Sequence, residues 1–168
     1  GKYLKLAACA THFAVHSGPE GLRHEVDAKV SQKELWETYR PPFEACVKEA
    51  DVESIMGAYN RTNGEPCCGS HTLLTDILRK KWGFQGHVTS DCWAIADFHE
   101  HHKVTANAVE SAAMAIHNGC DLNCGSVFLQ ALAAVQEGLL DESDIDRACE
   151  NLMATRIRRG MMADDCEY

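Results

Sequence analysis

Hydrophobic and polar positions along the chain predict four short strands. Leu4 to Val15 is largely apolar and small, as expected of a strand buried on both faces. Glu53 to Tyr59 predicts a second strand, and Gly86 to Asp91, with its β-branched residues, predicts a third. Cys120 to Leu122 is a brief fourth candidate. Each of the last three runs ends on or near a tyrosine or an aspartate.

Apolar residues at helical spacing lie between and after these strands. Ser31 and Glu34 form a capping-box pattern that predicts a helix start, and Pro41-Pro42 is expected to break or kink that helix. Four further helices are predicted at Thr72 to Trp82, Ala108 to His117, Val127 to Val135, and after a capping Asp141. Met161 to Tyr168 resembles an acidic, frayed tail.

The alternation of strands and helices predicts an α/β fold with a parallel sheet and right-handed crossovers. About four β/α units make either an open doubly wound sheet or part of an eightfold barrel. No linker divides residues 1–168, so we expect a single domain. Neither GxGxxG nor GxxxxGK[ST] occurs, which removes the usual support for nucleotide binding.

Composition narrows the class of protein. The 168 residues are 45% hydrophobic, enough for an ordinary core, and the net charge of -9 disfavours nucleic acid as a partner. No apolar run approaches the ~20 residues that cross a bilayer, and no leader opens the chain, so we expect a cytoplasmic protein without membrane contact. Nine scattered cysteines predict reduced thiols, and their spacing predicts no metal site.

Four residues with reactive or hydrogen-bonding side chains fall near predicted strand ends: His12, Tyr59, Asp91 and Asp121. Ligands of such folds meet the carboxyl ends of the strands, so we expect these four at one edge of the sheet. Imidazole, phenol and carboxylate groups together suit a hydroxyl-rich ligand. Asp91 can act there as nucleophile, base or metal ligand, and the alternative is that it caps the next turn.

Four short stretches of the sequence give more specific information than the periodicity does. Ala7-Ala8-Cys9-Ala10-Thr11-His12-Phe13 with its continuation to Glu20, Met56-Gly57-Ala58-Tyr59-Asn60, Ser90-Asp91-Cys92-Trp93 and Asn118-Gly119-Cys120-Asp121 together resemble successive signatures of family-3 glycoside hydrolases. The resemblance covers nearly the whole chain. It implies a partial (β/α)8 TIM-type barrel, a half barrel of about four β/α units, from the C-terminal half of the catalytic barrel domain.

The resemblance also implies roles for individual residues. Asp91 would be the nucleophile of a retaining, exo-acting β-glycosidase, a β-xylosidase or β-glucosidase that needs no cofactor. His12 and Tyr59 match positions that hold sugar hydroxyls. Thr11 stands where the family usually has lysine, and Cys92 resembles the xylosidase-like branch. The acid/base residue is usually a glutamate on a later domain, and no spacing marks Glu100 or Glu110 as its substitute.

Other interpretations stay open. The expected ligand is a β-linked xylo- or gluco-oligosaccharide, but a catalytically incompetent fragment would at most bind carbohydrate or another protein. A half barrel exposes two sheet edges, which predicts self-association or a complementing barrel half as partner. His99-Glu100-His101-His102 is a candidate for a metal hydrolase, although it lacks the H-E-x-x-H pattern and a solvated loop is the alternative.

Overall fold

The computed structural model describes residues 2–164. Its strands in chain order are β1 (Cys9–Phe13), β2 (Asp27–Ala28), β3 (Ser54–Gly57), β4 (Arg61–Thr62), β5 (Glu65–Pro66) and β6 (His87–Thr89). They form two three-stranded sheets, one in the order β1-β3-β6 and the other in the order β2-β4-β5.

The sheet β1-β3-β6 is parallel throughout. Ala10 pairs with Ile55, and Ile55 in turn pairs with Val88, so the centres of the three strands lie side by side. Beyond β6, Leu122 adds a single parallel bridge to Thr89 at the position of the fourth predicted strand. The prediction of a partial α/β barrel is therefore confirmed, with strands shorter than the sequence indicated.

Helices fill the connections between these strands. The α-helices are α1 (Gln32–Glu34), α2 (Pro41–Lys48), α3 (Asp97–Glu100), α4 (Ala108–His117), α5 (Ala131–Gln136) and α6 (Glu142–Arg158). Leu35–Tyr39 and His71–Lys81 are π-helical, and Glu20–Leu22, Cys67–Gly69 and Val127–Gln130 are 3-10 turns. No helix within residues 2–164 is both long enough and apolar enough to cross a bilayer.

Local sequence signals explain several helix ends. The capping box is present, because the Glu34 backbone N–H donates to Ser31 Oγ at 3.1 Å and the Ser31 N–H donates to Glu34 Oε2 at 2.8 Å. Pro41 ends the preceding π-helical turn and begins α2, where its missing N–H costs nothing. Asp141 stands at the N-cap of α6 without a side-chain cap bond. The end of the predicted tail, 165–168, lies outside the described residues.

Two apolar clusters hold the layers together. The larger one lies between the sheet and its helices, and Phe13, Ile55, Leu74 and Val88 are completely buried in it. Burying each such side chain contributes about 1.5–3 kcal/mol. The smaller cluster joins α4, α5 and α6 through Ala113, Ile116, Ala134, Leu140 and Ala148. The sheet thus has a rigid support for the side chains at its strand ends.

A polar network anchors α6 at the amino end of the sheet. Glu53, which precedes β3, is 8% exposed and accepts hydrogen bonds from Thr155 Oγ1 at 2.8 Å and Arg158 Nη1 at 3.0 Å. Thr155 also contacts His87 Nδ1 at 2.8 Å at the start of β6. These contacts fix the last helix against two strands at the end opposite to Asp91.

Candidate active site

Asp91 lies two residues after β6, at the carboxyl end of the parallel sheet. Its side chain is 13% exposed, so it is sheltered but open to a ligand. The backbone N–H of Cys92 donates to Asp91 Oδ1 at 2.8 Å, and Ser90 N–H donates to the Leu122 carbonyl at 2.8 Å. The carboxylate is therefore held on a fixed turn between two strand ends.

His12 and Tyr59 approach the same carboxylate from the neighbouring strands. His12 Nε2, in β1, lies 3.3 Å from Asp91 Oδ2. Tyr59 follows β3, and burial together with the negative charge of Asp91 and a hydrogen bond to it raises the pKa of the Tyr59 phenol. Because parallel strands end at one edge, these three residues meet there as the sequence predicts.

Asp121 does not join them, and its predicted place at this edge was wrong. Its carboxylate has no exposed surface, and Oδ2 accepts hydrogen bonds from Arg79 Nη2 and the Val88 backbone N–H, each at 2.8 Å. Asn151 Nδ2 donates to Oδ1 at 3.0 Å. Burial raises the pKa of Asp121. Asp121 precedes the bridging residue Leu122, so its side chain faces the start of β6 instead of the mouth.

A disulfide joins Cys92 to Cys124, with Cα atoms 4.4 Å apart. The prediction that the thiols are all reduced was wrong at this pair, because the strand ends at Asp91 and Leu122 bring together two cysteines 32 residues apart. The Trp93 N–H also donates to the Cys124 carbonyl at 2.7 Å. The disulfide therefore lies directly beside Asp91 and ties together two loops of the mouth.

The remaining buried thiols are packing groups. Cys67, Cys68 and Cys120 are free and completely buried. Burial raises the pKa of Cys67 to about 11, and it raises the pKa values of Cys68 and Cys120 as well. Thiols in that state are not nucleophiles at neutral pH.

Thr11 is exposed within β1. Among the described residues it makes no hydrogen bond to Asp91, His12 or Tyr59. Its hydroxyl is short and uncharged, so it cannot make the contacts that a lysine ammonium would make from this position.

Sequence reasoning missed Arg23, His24 and Asp97. The His24 ring meets the Tyr59 ring edge-on with centroids 4.5 Å apart, and the Arg23 guanidinium lies 5.0 Å from the Tyr59 centroid. Asp97 Oδ2 contacts His24 Nδ1 at 2.8 Å. No sequence motif marks this contact, because 73 residues separate the two partners.

The side chains of the His99 to His102 run have separate partners. His99 Nδ1 contacts Ser111 Oγ at 2.9 Å, and His101 Nε2 lies 3.6 Å from Asp97 Oδ1. His102 is 5% exposed and stacks on Phe98, and burial lowers its pKa to about 4. Within residues 2–164, no three His, Cys, Asp or Glu side chains converge on a common metal position.

The two glutamates that follow Asp91 in the sequence also have local roles. Glu110 Oε2 accepts a hydrogen bond from the Ala106 N–H at 2.8 Å, while the Glu110 N–H donates to the N-cap Asn107. Glu100 is exposed and lies 4.0 Å from His99 Nε2. In the described part of the chain, neither carboxylate contacts Asp91.

The parallel β/α units and the cluster at their carboxyl ends define an α/β protein of the partial-barrel type. The sequence matches the model "Glycosyl hydrolase family 3 N terminal domain" over residues 2–155. The chain therefore belongs to glycoside hydrolase family 3. The assignment to a C-terminal half was wrong, since the matching domain is the N-terminal one.

Named relatives and solved structures agree with this family. The chain is 45% identical over 166 residues to a xylan 1,4-beta-xylosidase of Xylanibacter ruminicola, covering 97% of this chain and 19% of that protein. A family-3 exo-beta-xylosidase bound to a xylobiose aziridine probe superposes with a TM-score of 0.95 at 30% identity, covering 100% of this chain and 23% of that one. A β-glucosidase from Erythrobacter marinus superposes at 0.88 with 30% identity, covering 94% and 21%.

The chain spans about a fifth of the length of these relatives.

Proposed function

We propose that the complete protein carrying this chain is a retaining, exo-acting β-glycosidase whose substrates are β-linked xylo- or gluco-oligosaccharides. Asp91 is its nucleophile in this proposal. The observation that carries it is the convergence of Asp91, His12 and Tyr59 at the carboxyl edge of the sheet. The names of the relatives, xylosidases and glucosidases, support the same class of reaction.

In this mechanism Asp91 attacks the anomeric carbon, and the bond from that carbon to the leaving oxygen breaks. A second carboxyl group about 5 Å away donates its proton to the leaving oxygen and later takes a proton from the water that hydrolyses the glycosyl-enzyme. No second carboxylate of the described chain contacts Asp91. We propose that the acid/base group comes from another part of the parent protein.

The two carboxylate oxygens of Asp91 contact different neighbours. Oδ1 accepts the Cys92 N–H, while Oδ2 lies beside His12. The Tyr59 hydroxyl donates a further hydrogen bond to the carboxylate in this proposal. These contacts hold the Asp91 carboxylate in a fixed orientation while the sugar binds, and the His12 side chain, 36% exposed, is also able to reach a sugar hydroxyl.

We further propose that xylosides are preferred over glucosides. The Cys92–Cys124 disulfide borders the nucleophile and replaces freely rotating side chains by a rigid wall. A xylose ring has no hydroxymethyl group, so it needs less room than glucose. Comparing kcat/KM for aryl β-xyloside, β-glucoside and arabinoside on the parent protein tests this preference. A higher kcat/KM for the glucoside would contradict it.

The nucleophile is tested by Asp91→Asn in the parent protein. The change keeps the shape but removes the attacking charge, so kcat should fall by at least about 10³-fold while the unfolding curve stays the same. Asp76→Asn is the matched control, because Asp76 is exposed and pairs with Lys80. A slow fluorinated glycoside should label Asp91 in the wild type, as peptide mass spectrometry would show. A label on another residue, or inversion at the anomeric carbon, would end the proposal.

A binding role is the second candidate, because only one carboxylate of the required pair lies at the described site. In that case the isolated chain binds carbohydrate or another protein but releases no sugar. Calorimetry with xylobiose, on the chain alone and on the parent protein, separates the two functions. Self-association or pairing with a complementing barrel half stays a prediction, which sedimentation of the isolated chain tests.

The cellular location of the parent protein is proposed from the oxidation state of its cysteines. A cytoplasmic protein, as predicted from the sequence, keeps its cysteines reduced, whereas disulfides persist in oxidising compartments. The Cys92–Cys124 disulfide therefore favours an exported parent protein. Alkylation and mass spectrometry of the protein from its native cells test this proposal. Two free thiols at these positions would favour the cytoplasm.

A further inference from the structure

Behind Tyr59 lies a buried acid that the proposed chemistry leaves unused. Asp97 begins α3 and is 3% exposed. Its Oδ2 lies 2.8 Å from His24 Nδ1, and its Oδ1 lies 3.6 Å from His101 Nε2. A carboxylate this deeply buried is costly unless it is partnered, and here the His24 imidazole supplies a hydrogen bond while the His101 imidazole lies close by.

The second nitrogen of His24 is also engaged. Arg23 Nε donates to His24 Nε2 at 3.2 Å, so Nε2 is the acceptor and Nδ1 carries the proton that Asp97 receives as a hydrogen bond. Both ring nitrogens of His24 thus have hydrogen-bond partners. This arrangement leaves His24 without a free proton for chemistry but fixes the angle of its ring.

The His24 ring, held by its two hydrogen bonds, packs against the Tyr59 ring. The two ring centroids are 4.5 Å apart at an interplanar angle of 61°, an edge-to-face contact. The Arg23 guanidinium lies 5.0 Å from the Tyr59 centroid. Tyr59 is therefore held by two neighbouring residues of one loop, and its hydroxyl end meets Asp91.

We propose that Asp97, acting through His24, is a positioning residue that holds the Tyr59 ring so that its hydroxyl stays bonded to Asp91. The inference rests on the proposed function, since it deepens the account of the same site. Displacing a reacting group by about 1 Å can cost on the order of 100-fold in rate. Asp97 touches neither substrate nor nucleophile and acts by orientation alone.

The chain contains a matched pair for comparison. Asp144 Oδ2 contacts His117 Nδ1 at 2.9 Å, and Asp144 also binds Arg147. This pair joins α4 to α6, and its contacts do not include Tyr59 or Asp91. Asp144→Asn therefore changes the same kind of histidine–carboxylate contact and reports the cost of a merely structural change.

The test is a double-mutant cycle in the complete enzyme, with an aryl β-xyloside as substrate. Asp97→Asn should lower kcat about 10- to 100-fold and leave KM within about twofold, because the loss is one of orientation. In a Tyr59→Phe background the same change should cost less than about threefold, since the hydroxyl it positions is gone. Asp144→Asn should leave kcat within about twofold.

Three results would overturn the inference. They are an unchanged kcat in Asp97→Asn, equal losses with and without the Tyr59 hydroxyl, and a loss of similar size in Asp144→Asn. His24→Phe adds a check, because it keeps an aromatic ring beside Tyr59 but removes both hydrogen bonds. It should resemble Asp97→Asn, and wild-type kcat in this variant would count against the proposal.

A crystal structure of the Asp97→Asn enzyme separates this inference from the proposed function. If the wild type neither hydrolyses glycosides nor takes a label at Asp91, the proposed function fails. The crystal structure of the Asp97→Asn variant then tests the positioning role of Asp97 by itself. A rotated Tyr59 ring, with its hydroxyl away from Asp91, supports the positioning role. An unmoved ring in both Asp97→Asn and His24→Ala overturns it.

Discussion

At the scale of single residues, the neighbours of Asp91 come from three separate parts of the chain. Cys92 follows it directly, His12 lies in β1 and Tyr59 follows β3. The resemblance to the family identified all four positions. It did not identify His24, because a histidine in a polar loop has many equally ordinary uses and its partner Asp97 is distant in sequence.

Arg40 is the most unusual single residue. It is 0% exposed, and none of its three guanidinium nitrogens has a hydrogen-bond partner among residues 2–164. The guanidinium lies 3.0 Å from the ring centroid of Trp36 and 5.1 Å from that of Trp82. Burial lowers the pKa of Arg40. Contacts with aromatic rings offset only part of the cost of burying such a charge.

We therefore expect Arg40→Met to raise the free energy of unfolding by about 1–2 kcal/mol, since methionine fills similar space without a charge. Urea unfolding of the parent protein measures the change. Lys33→Met, at an exposed site of α1, serves as the control and should shift it by less than about 0.5 kcal/mol. A destabilised Arg40→Met variant would contradict this expectation and show that the contacts with Trp36 and Trp82 outweigh the cost of burying the charge.

At the scale of elements, buried ion pairs connect helices to strands. Asp121 links Arg79 of the π-helical segment His71–Lys81 to β6 and to Asn151 of α6. Arg79 Nη1 also donates to the Gly86 carbonyl at 2.6 Å. One carboxylate therefore ties three elements together, although the sequence alone made it appear a candidate for the mouth.

Asp121→Asn should lower the free energy of unfolding by about 2–4 kcal/mol, because it leaves a partly buried Arg79 without its counter-charge. Asp76→Asn lies on the same segment and breaks an exposed pair with Lys80, so it should cost less than about 1 kcal/mol. Chemical unfolding of both variants makes the comparison. Equal effects in the two variants would contradict a supporting role for Asp121.

At the scale of the whole molecule, one buried group should make stability depend on pH. His102 has a pKa of about 4 in the folded chain and an ordinary value of 6.5. Between these values the unfolded chain binds more protons, so stability falls as the pH is lowered from about 6.5 to 4. The loss from this one group should reach about 2–3 kcal/mol.

His102→Phe removes the titrating group and preserves stacking on Phe98. We expect the free energy of unfolding to depend less steeply on pH between about 6.5 and 4 in this variant. Urea unfolding at a series of pH values measures the slope. His71→Phe, at an exposed histidine, is the control and should keep the wild-type slope. The same slope in all three proteins would exclude His102 as the cause.

The second sheet, β2-β4-β5, was not predicted from the sequence. The sequence by itself determined the parallel strands β1, β3 and β6, the capping box at Ser31 and the placement of Asp91. These depend on local periodicity and on motifs that lie within a few residues. Only the tertiary structure decided the Cys92–Cys124 disulfide, the inward direction of Asp121 and the Asp97–His24 contact. Each of these joins residues more than 30 positions apart. Such contacts depend on how strand ends and loops are packed in space, and no local pattern encodes that packing.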